Sequence, residues 1–298
     1  MGQTVNLRSG FDSPLPSGVS RFTSRSKHVS VVPAIRPIRR ALICGSAAAL
    51  AAMAAPAAAA PFVVTGSYVI TLRGINIAEA EIGFSDDGET YRVAISGSVA
   101  GLAQLVASGT ATLSSAGRSR PDRLASDSFS LTTRTAAEAF SLGFEARNGT
   151  VHSEFINPPL DPSIDRVPVR SADRVRINDP IAAFLIKAER FEPSLCEKSL
   201  NIYTGIERYD MDLSYVATQQ ATSQRTGYQG PVILCSIRYR PISGHFASSE
   251  STAYLAQSDR FLVWYAPLFE TGFVFPYRMI MGTAYGDLSL VLTRLAGE

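Results

Sequence analysis

The sequence predicts an all-β protein, an antiparallel open barrel or curved sheet (a β-spiral) with one or two short helices. Three observations carry that expectation. Many short runs alternate apolar and polar residues at period two, which puts successive side chains on opposite faces of a pleated strand. Turn-forming pairs such as Asp87-Gly88 and Asn148-Gly149 separate these runs at steady spacing. Helical patterns occur at two places only, Val99–Val106 and the run after Asp179.

The chain opens on a leader. Residues 1–34 are rich in Ser, Arg and Pro and read as disordered, or as the result of a start codon assigned too far upstream. Residues 35–60 have the three parts of a secretory signal: basic Arg36, Arg39 and Arg40, an apolar run from Ala41, and small residues at Ala57–Ala60. Cleavage is expected near Ala60, which leaves 61–298 as a single β-rich periplasmic domain. An uncleaved anchor is the alternative, since Ala41 to Ala60 is long enough to span a bilayer. Alanine contributes little to insertion, however, Pro56 interrupts the run, and no charged flank follows it. Arg39-Arg40 keeps twin-arginine export open beside the general route. Cys44 starts the apolar run behind Ile43, the wrong place for a lipidated cysteine.

Charge sharpens the division. Seven of the 28 Lys and Arg but one of the 26 Asp and Glu fall in residues 1–40, and residues 41–60 carry no charge. The body therefore holds four more acids than bases, and a mildly acidic body has no electrostatic footprint for nucleic acid. With 46% hydrophobic residues the whole chain has the apolar content for a sizeable core.

Within the body, Ser67–Leu72 and Gly74–Phe84 form two alternating runs with a bend at Gly74, answered by Tyr91–Gly97 after a turn at Asp86-Asp87-Gly88. Val99–Val106 reads as a short helix. Gly109–Leu113 and Ser126–Arg134 continue the β pattern around a turn region at Gly117–Pro121. Glu138–Arg147 alternates cleanly, and Asn148-Gly149 tolerates the positive φ angles of a type I′ turn, so a hairpin into Val151–Ile156 is expected. Prolines at 158, 159, 162 and 168 rule out a ladder in Asn157–Val169, which reads as a surface loop. Asp179-Pro180 supplies an N-cap and a first-turn proline for a helix of two to three turns. Strands then follow at Leu200–Tyr203, Tyr209–Leu213, Val232–Arg240, Arg260–Tyr265, Phe273–Met281 and Asp287–Leu295. No repeat or linker splits the body.

In an oxidising compartment Cys196 and Cys235 read as a disulfide rather than as reactive thiols, and neither has ligands at zinc spacing. Chemistry is otherwise sparse. No Gly-x-Ser-x-Gly elbow, phosphate loop or metal cluster occurs, and no cofactor is expected. His152 and His245 are the histidines of the body, and neither has a recognisable nucleophile beside it. The pairs Glu79/Glu81 and Asp210/Asp212 each share a strand face, the arrangement of a glycosidase acid pair and equally of a solvated outer face. Phe261, Trp264, Tyr265, Phe269, Phe273, Phe275 and Tyr277 crowd a short span. Core packing accounts for such a cluster, and so does an apolar concave face holding a lipid or an acylated protein. On that second reading Phe261, Trp264, Tyr265, Phe273, Phe275 and Tyr277 are the candidate ligand-face residues.

Several signposts together resemble a family of exported Gram-negative proteins known as a domain of unknown function, number thirty-one-oh-eight. They are Tyr68, Gly74 and Ala78-Glu79-Ala80; Asp179-Pro180 before a short apolar run; Cys196; Gly205 with Arg208-Tyr209-Asp210; and Cys235 ahead of Tyr239-Arg240-Pro241-Ile242-Ser243-Gly244-His245. The likeness covers most of residues 65–295. The layout is also similar to periplasmic β-spiral proteins that carry one disulfide and support envelope integrity. Neither resemblance brings a catalytic residue. The expectation is a non-enzymatic envelope protein with lipid or lipoprotein as partner and no nucleic acid. The alternatives are an envelope hydrolase built on His245 or Asp210/Asp212, or a purely structural module.

Overall fold

A computed structural model describes residues 61–105 and 107–297; segment 1–34 and the signal expected at 35–60, with Cys44, lie outside the described residues. The body is built from hairpins. The first seven strands are β1 (Phe62–Leu72), β2 (Ile75–Asp86), β3 (Thr90–Val99), β4 (Thr110–Ser119), β5 (Leu124–Arg134), β6 (Ala139–Arg147) and β7 (Thr150–Asn157). Each pairs antiparallel with the next. Sequence turn chemistry sets two of the corners. Arg73-Gly74 and Asn148-Gly149 both take consecutive positive φ angles, at 52° and 80° and at 52° and 73°, as type I′ turns require.

After a long connection come β8 (Ile186–Lys187), β9 (Ser199–Tyr203), β10 (Arg208–Ala221), β11 (Gly230–Ser243), β12 (Phe261–Pro267), β13 (Phe273–Thr283) and β14 (Gly286–Gly297). Strands β9 to β14 form a second meander, and β14 pairs with β1. The result is one 14-stranded sheet in which the first and last strands meet in the middle, while β7 and β9 are its two edges. Register shifts at Ser67/Tyr68, Ile70/Thr71, Ala116/Gly117, Glu145/Ala146 and Trp264/Tyr265 add twist and coil the sheet.

The edges do not pair with each other. Residues 175–178 of the connection run between them, bridged to Thr150 of β7 at Val175 and to Ile202 of β9 at Asn178. Backbone bonds complete this seam: Ile177 donates to Gly149 at 3.1 Å, Asn178 to Asn201 at 2.7 Å, and Tyr203 back to Asn178 at 2.9 Å. An open sheet thus hides its edges behind its own connection.

Two apolar cores result. The larger gathers Tyr68, Phe84, Tyr91, Phe129, Phe144 and Leu292 with Ile181 and Leu185 of the connection. The other surrounds the cysteines, with Ile202, Leu213, Ile237, Val263 and Tyr265.

The helices differ from expectation. Val99–Val106 gives only a 3₁₀ turn at Gly101–Leu105. The run after Asp179 makes one 3₁₀ turn, Ala182–Phe184, before turning into β8. The reason is burial on both sides: Ile181, Ala182 and Leu185 belong to one core, Ala183 and Ile186 to the other. Packing into both overrides a capping signal that would suit an amphipathic helix. The α-helix α1 (Glu250–Gln257) forms where none was expected, capped by Ser249, which accepts the Thr252 N–H at 3.1 Å. Strand β4 also runs through Gly117 to Ser119, so the expected turn starts later.

Candidate functional site: an apolar cavity beside a buried carboxylate

The inward residues of β1, β2, β13 and β14 do not fill the space they enclose. A cavity of about 260 Å³ remains, walled by Tyr68, Ile82, Phe84, Phe275, Leu290 and Leu292, with Pro180, Ile181, Phe184 and Leu185 of the connection opposite. Its lining is almost wholly hydrocarbon. The Tyr68 hydroxyl is occupied by the Pro276 carbonyl at 2.9 Å, and burial pushes its pKa well above the ordinary tyrosine value. Glu81, exposed, marks the solvent side. A space of this size and polarity suits an apolar chain, and water gains few partners there.

What holds the connection against the cavity is polar. Asp179 is fully buried. One carboxylate oxygen caps the turn by accepting the N–H groups of Ile181 and Ala182 at 2.7 and 2.9 Å. The other accepts the hydroxyl of Ser115 at 2.6 Å, of Ser126 at short range, and of Tyr91 at 3.4 Å. Asn178 adds a donor bond to the Leu124 carbonyl at 3.0 Å. Every donor is neutral, so burial dominates and raises the Asp179 pKa above the ordinary aspartate value. The network anchors the connection to β3, β4 and β5 and leaves no free carboxylate to react.

A family model described as protein of unknown function (DUF3108) matches residues 67–293. The chain belongs to that family. The DUF3108 match begins inside β1 and ends inside β14, so it spans both meanders, the seam and the cavity. Among solved structures, the chain is similar to a β-barrel-like protein of domain of unknown function DUF1849 from Brucella abortus. The identity is 11% and the TM-score 0.45, over 79% of this chain and 98% of that one. No curated protein matches the sequence.

Within this DUF3108 fold the six candidate aromatics are divided rather than gathered on one face. Phe275 alone of them lines the cavity. Phe273 stacks edge-on with Phe62 and Phe84 at 5.8 and 5.1 Å, and Tyr277 reaches out to the Thr226 hydroxyl at 3.0 Å. Phe261 and Tyr265 sit in the cysteine core. Trp264 is half-buried, with the Arg278 guanidinium 5.1 Å from its ring and its N–H on Gln219 at 2.8 Å. The bulge at Trp264/Tyr265 helps to break the expected alternation. Tyr68, Ile82, Phe84 and Leu292 wall the cavity without having been named as ligand-face residues. Their alternation was visible, but the β1–β14 pairing that brings them together was not.

Cys196 and Cys235 are joined by a disulfide, their Cα atoms 5.6 Å apart, tying the turn before β9 to β11 over β10. Asp210 is clamped between Arg208 and Arg240, and Asp212 between Arg240 at 2.8 Å and the Ser199 hydroxyl at 2.6 Å. Neither lines the apolar cavity. His245 lies on the Val167 strand-like contact, its carbonyl accepting the Val167 N–H at 3.0 Å. Among the described residues no three His, Cys, Asp or Glu side chains group as metal ligands, and no helix is long and apolar enough to cross a membrane.

Proposed function

We propose that the protein is a non-enzymatic envelope component that shelters an apolar chain, from a lipid or the acyl group of a lipoprotein, in the cavity between β1, β2, β13 and β14. The observation that carries this reading is the lining itself: about 260 Å³ bounded by hydrocarbon, with its single inward hydroxyl already bonded. That volume falls just below the usual range of ligand pockets, so it takes part of an acyl chain rather than a whole lipid. Export supports the setting. The signal at 35–60 would be cleaved near Ala60, two residues ahead of β1, and the Cys196–Cys235 bond suits an oxidising compartment.

The test uses protein purified from the periplasm. Native mass spectrometry and solvent extraction should recover an acylated molecule, and an uncharged fluorescent apolar probe should bind with one-to-one stoichiometry. Ala80→Phe, which projects into the cavity wall, should abolish probe binding while near-UV circular dichroism stays native. A wild-type protein that is consistently empty and ignores the probe would overturn the reading.

A further inference from the structure

Strand β9 is five residues long and β10 is fourteen, so β9 leaves most of its neighbour uncovered. It pairs with Arg208–Asp212, and one further bond runs from the Leu213 N–H to the Lys198 carbonyl at 2.9 Å. From Ser214 to Ala221, β10 pairs with β11 on one side only. Among the described residues no backbone group bonds to the other side of this run. The seam that screens β7 and β9 stops short of it. Exposure agrees: Ser214, Tyr215, Val216, Thr218, Gln219 and Gln220 all face solvent, Tyr215 at 43% and Val216 at 49%.

A free edge is ordinarily blunted with charge, proline or a bulge. Here Leu213 to Gln224 holds no charged residue, proline or glycine, in a chain of which 18% is charged. A single bulge between Tyr215 and Ala217 interrupts the run, and residues 217–221 continue in regular pairing beyond it. The hairpin is also held firmly. Gln219 accepts the Trp264 indole N–H at 2.8 Å. At the β10–β11 corner the Gly227 N–H bonds to the Leu292 carbonyl and the Tyr277 hydroxyl to Thr226, both at 3.0 Å. A fixed row of backbone donors and acceptors loses little further freedom on pairing with an extended strand.

Charge at the ends of the run selects that strand. Arg225 stands exposed past one end, and Glu197 stands exposed two residues ahead of β9, beside the other. Among the described residues neither makes an ion pair. Two copies of the edge laid antiparallel about a two-fold axis near Ala217-Thr218 bring Arg225 of each toward Glu197 of the other. Parallel alignment would set like charge against like.

We propose that the β10 edge, Ser214–Ala221, pairs antiparallel with the same edge of a second copy, joining two sheets into one across a two-fold axis. This goes beyond the apolar-chain reading and does not depend on it. The test is sedimentation equilibrium of protein purified from the periplasm, over a concentration series at low salt. The wild type should pass from monomer to dimer in the micromolar range. Thr218→Lys sets two ammonium groups beside the axis and should weaken dimerisation about tenfold, while near-UV circular dichroism of the monomer stays native. Arg225→Glu and Glu197→Arg should each weaken it about fivefold, because two rim pairs are lost at once. Combined, Arg225→Glu/Glu197→Arg should return to within about twofold of wild type, since both pairs reverse and stay opposite. A wild type that remains monomeric at millimolar concentration, or a dimer indifferent to Thr218→Lys, would overturn the proposal. So would a double variant no tighter than its parents. A monomer whose β10 edge crosslinks instead to another periplasmic protein would assign the edge to a foreign strand and overturn it too.

Discussion

Tyr203 on β9 donates its hydroxyl proton to Glu154 on β7 at 2.5 Å, so the two edges of the sheet touch through a tyrosine and a glutamate. Arg174 grips the same carboxylate with two donors, at 2.6 and 3.1 Å. The Tyr203 ring packs 5.7 Å from Phe144, so the seam is closed by packing as well as by charge.

This contact makes the seam acid-sensitive. Burial works against ionisation of Glu154, but Arg174 and Tyr203 outweigh it and hold the carboxyl below its ordinary value. A folded pKa below the unfolded one gives stability that is present above the unfolded value and lost as pH falls through the folded value. Glu154→Gln should cost about 1–2 kcal/mol near neutral pH in urea unfolding. The gap to wild type should close below about pH 4, and a constant gap would show that charge is not involved.

Asp179 has the opposite sign. Its pKa is raised by burial, so its contribution is complete below the ordinary aspartate value and is lost as pH rises through the folded value. Asp179→Asn keeps an acceptor for Ile181 and Ala182 and should flatten that loss: as pH rises above the ordinary aspartate value the variant gains on wild type. Asp179→Ala orphans the cap and the buried hydroxyls and should cost about 2–4 kcal/mol at low pH, the cost shrinking as pH rises.

The disulfide closes a loop with a sequence separation of 39. Loop-closure entropy alone assigns it about 3–4 kcal/mol. Cys196→Ser/Cys235→Ser should lower stability by that order while uncharged-probe binding persists at temperatures where the variant is folded. Thiol titration of unfolded wild-type periplasmic protein, without reductant, should find both sulfurs blocked.

Tyr265 carries a hydroxyl buried without a partner. Removing an orphaned buried hydroxyl relieves a desolvation penalty of about 1–3 kcal/mol at the expense of a small void. Tyr265→Phe should therefore be neutral or stabilise by about 1 kcal/mol in thermal and urea unfolding. A loss above that size would mean that the hydroxyl has a partner in solution.

How much of this was legible follows from where each signal lives. Asn148-Gly149 announced its hairpin because two adjacent positive φ angles are a local demand. Alternation placed nearly every strand, and the cysteines paired once export was inferred. The run after Asp179 misled because Asp-Pro followed by apolar residues is the local signature of a helix start, whereas burial by two cores is a property of the whole sheet. The Ser249 cap ahead of Glu250 was readable and was passed over. The cavity could not be read at all, since its walls come from opposite ends of the body. Arg174 and Glu154 had no shared motif, and only the seam explains either.

The place where β1 meets β14 has a kinetic meaning. Leaving aside the two-residue β8, every other pair joins strands consecutive along the chain, but Ser67 and Thr293 are 226 residues apart when they bond. Closing a loop that long costs about 5 kcal/mol of chain entropy before any ladder forms. Two half-sheets can assemble early and then wait for each other. A circularly permuted chain, with residue 297 linked to residue 62 and new ends between residues 158 and 165, would turn this last encounter into one more hairpin. It should reach the same sheet faster, as lower contact order requires. On this argument the slow event of folding falls at the very strands that wall the cavity, and the cavity is expected to be the last part of the molecule to form.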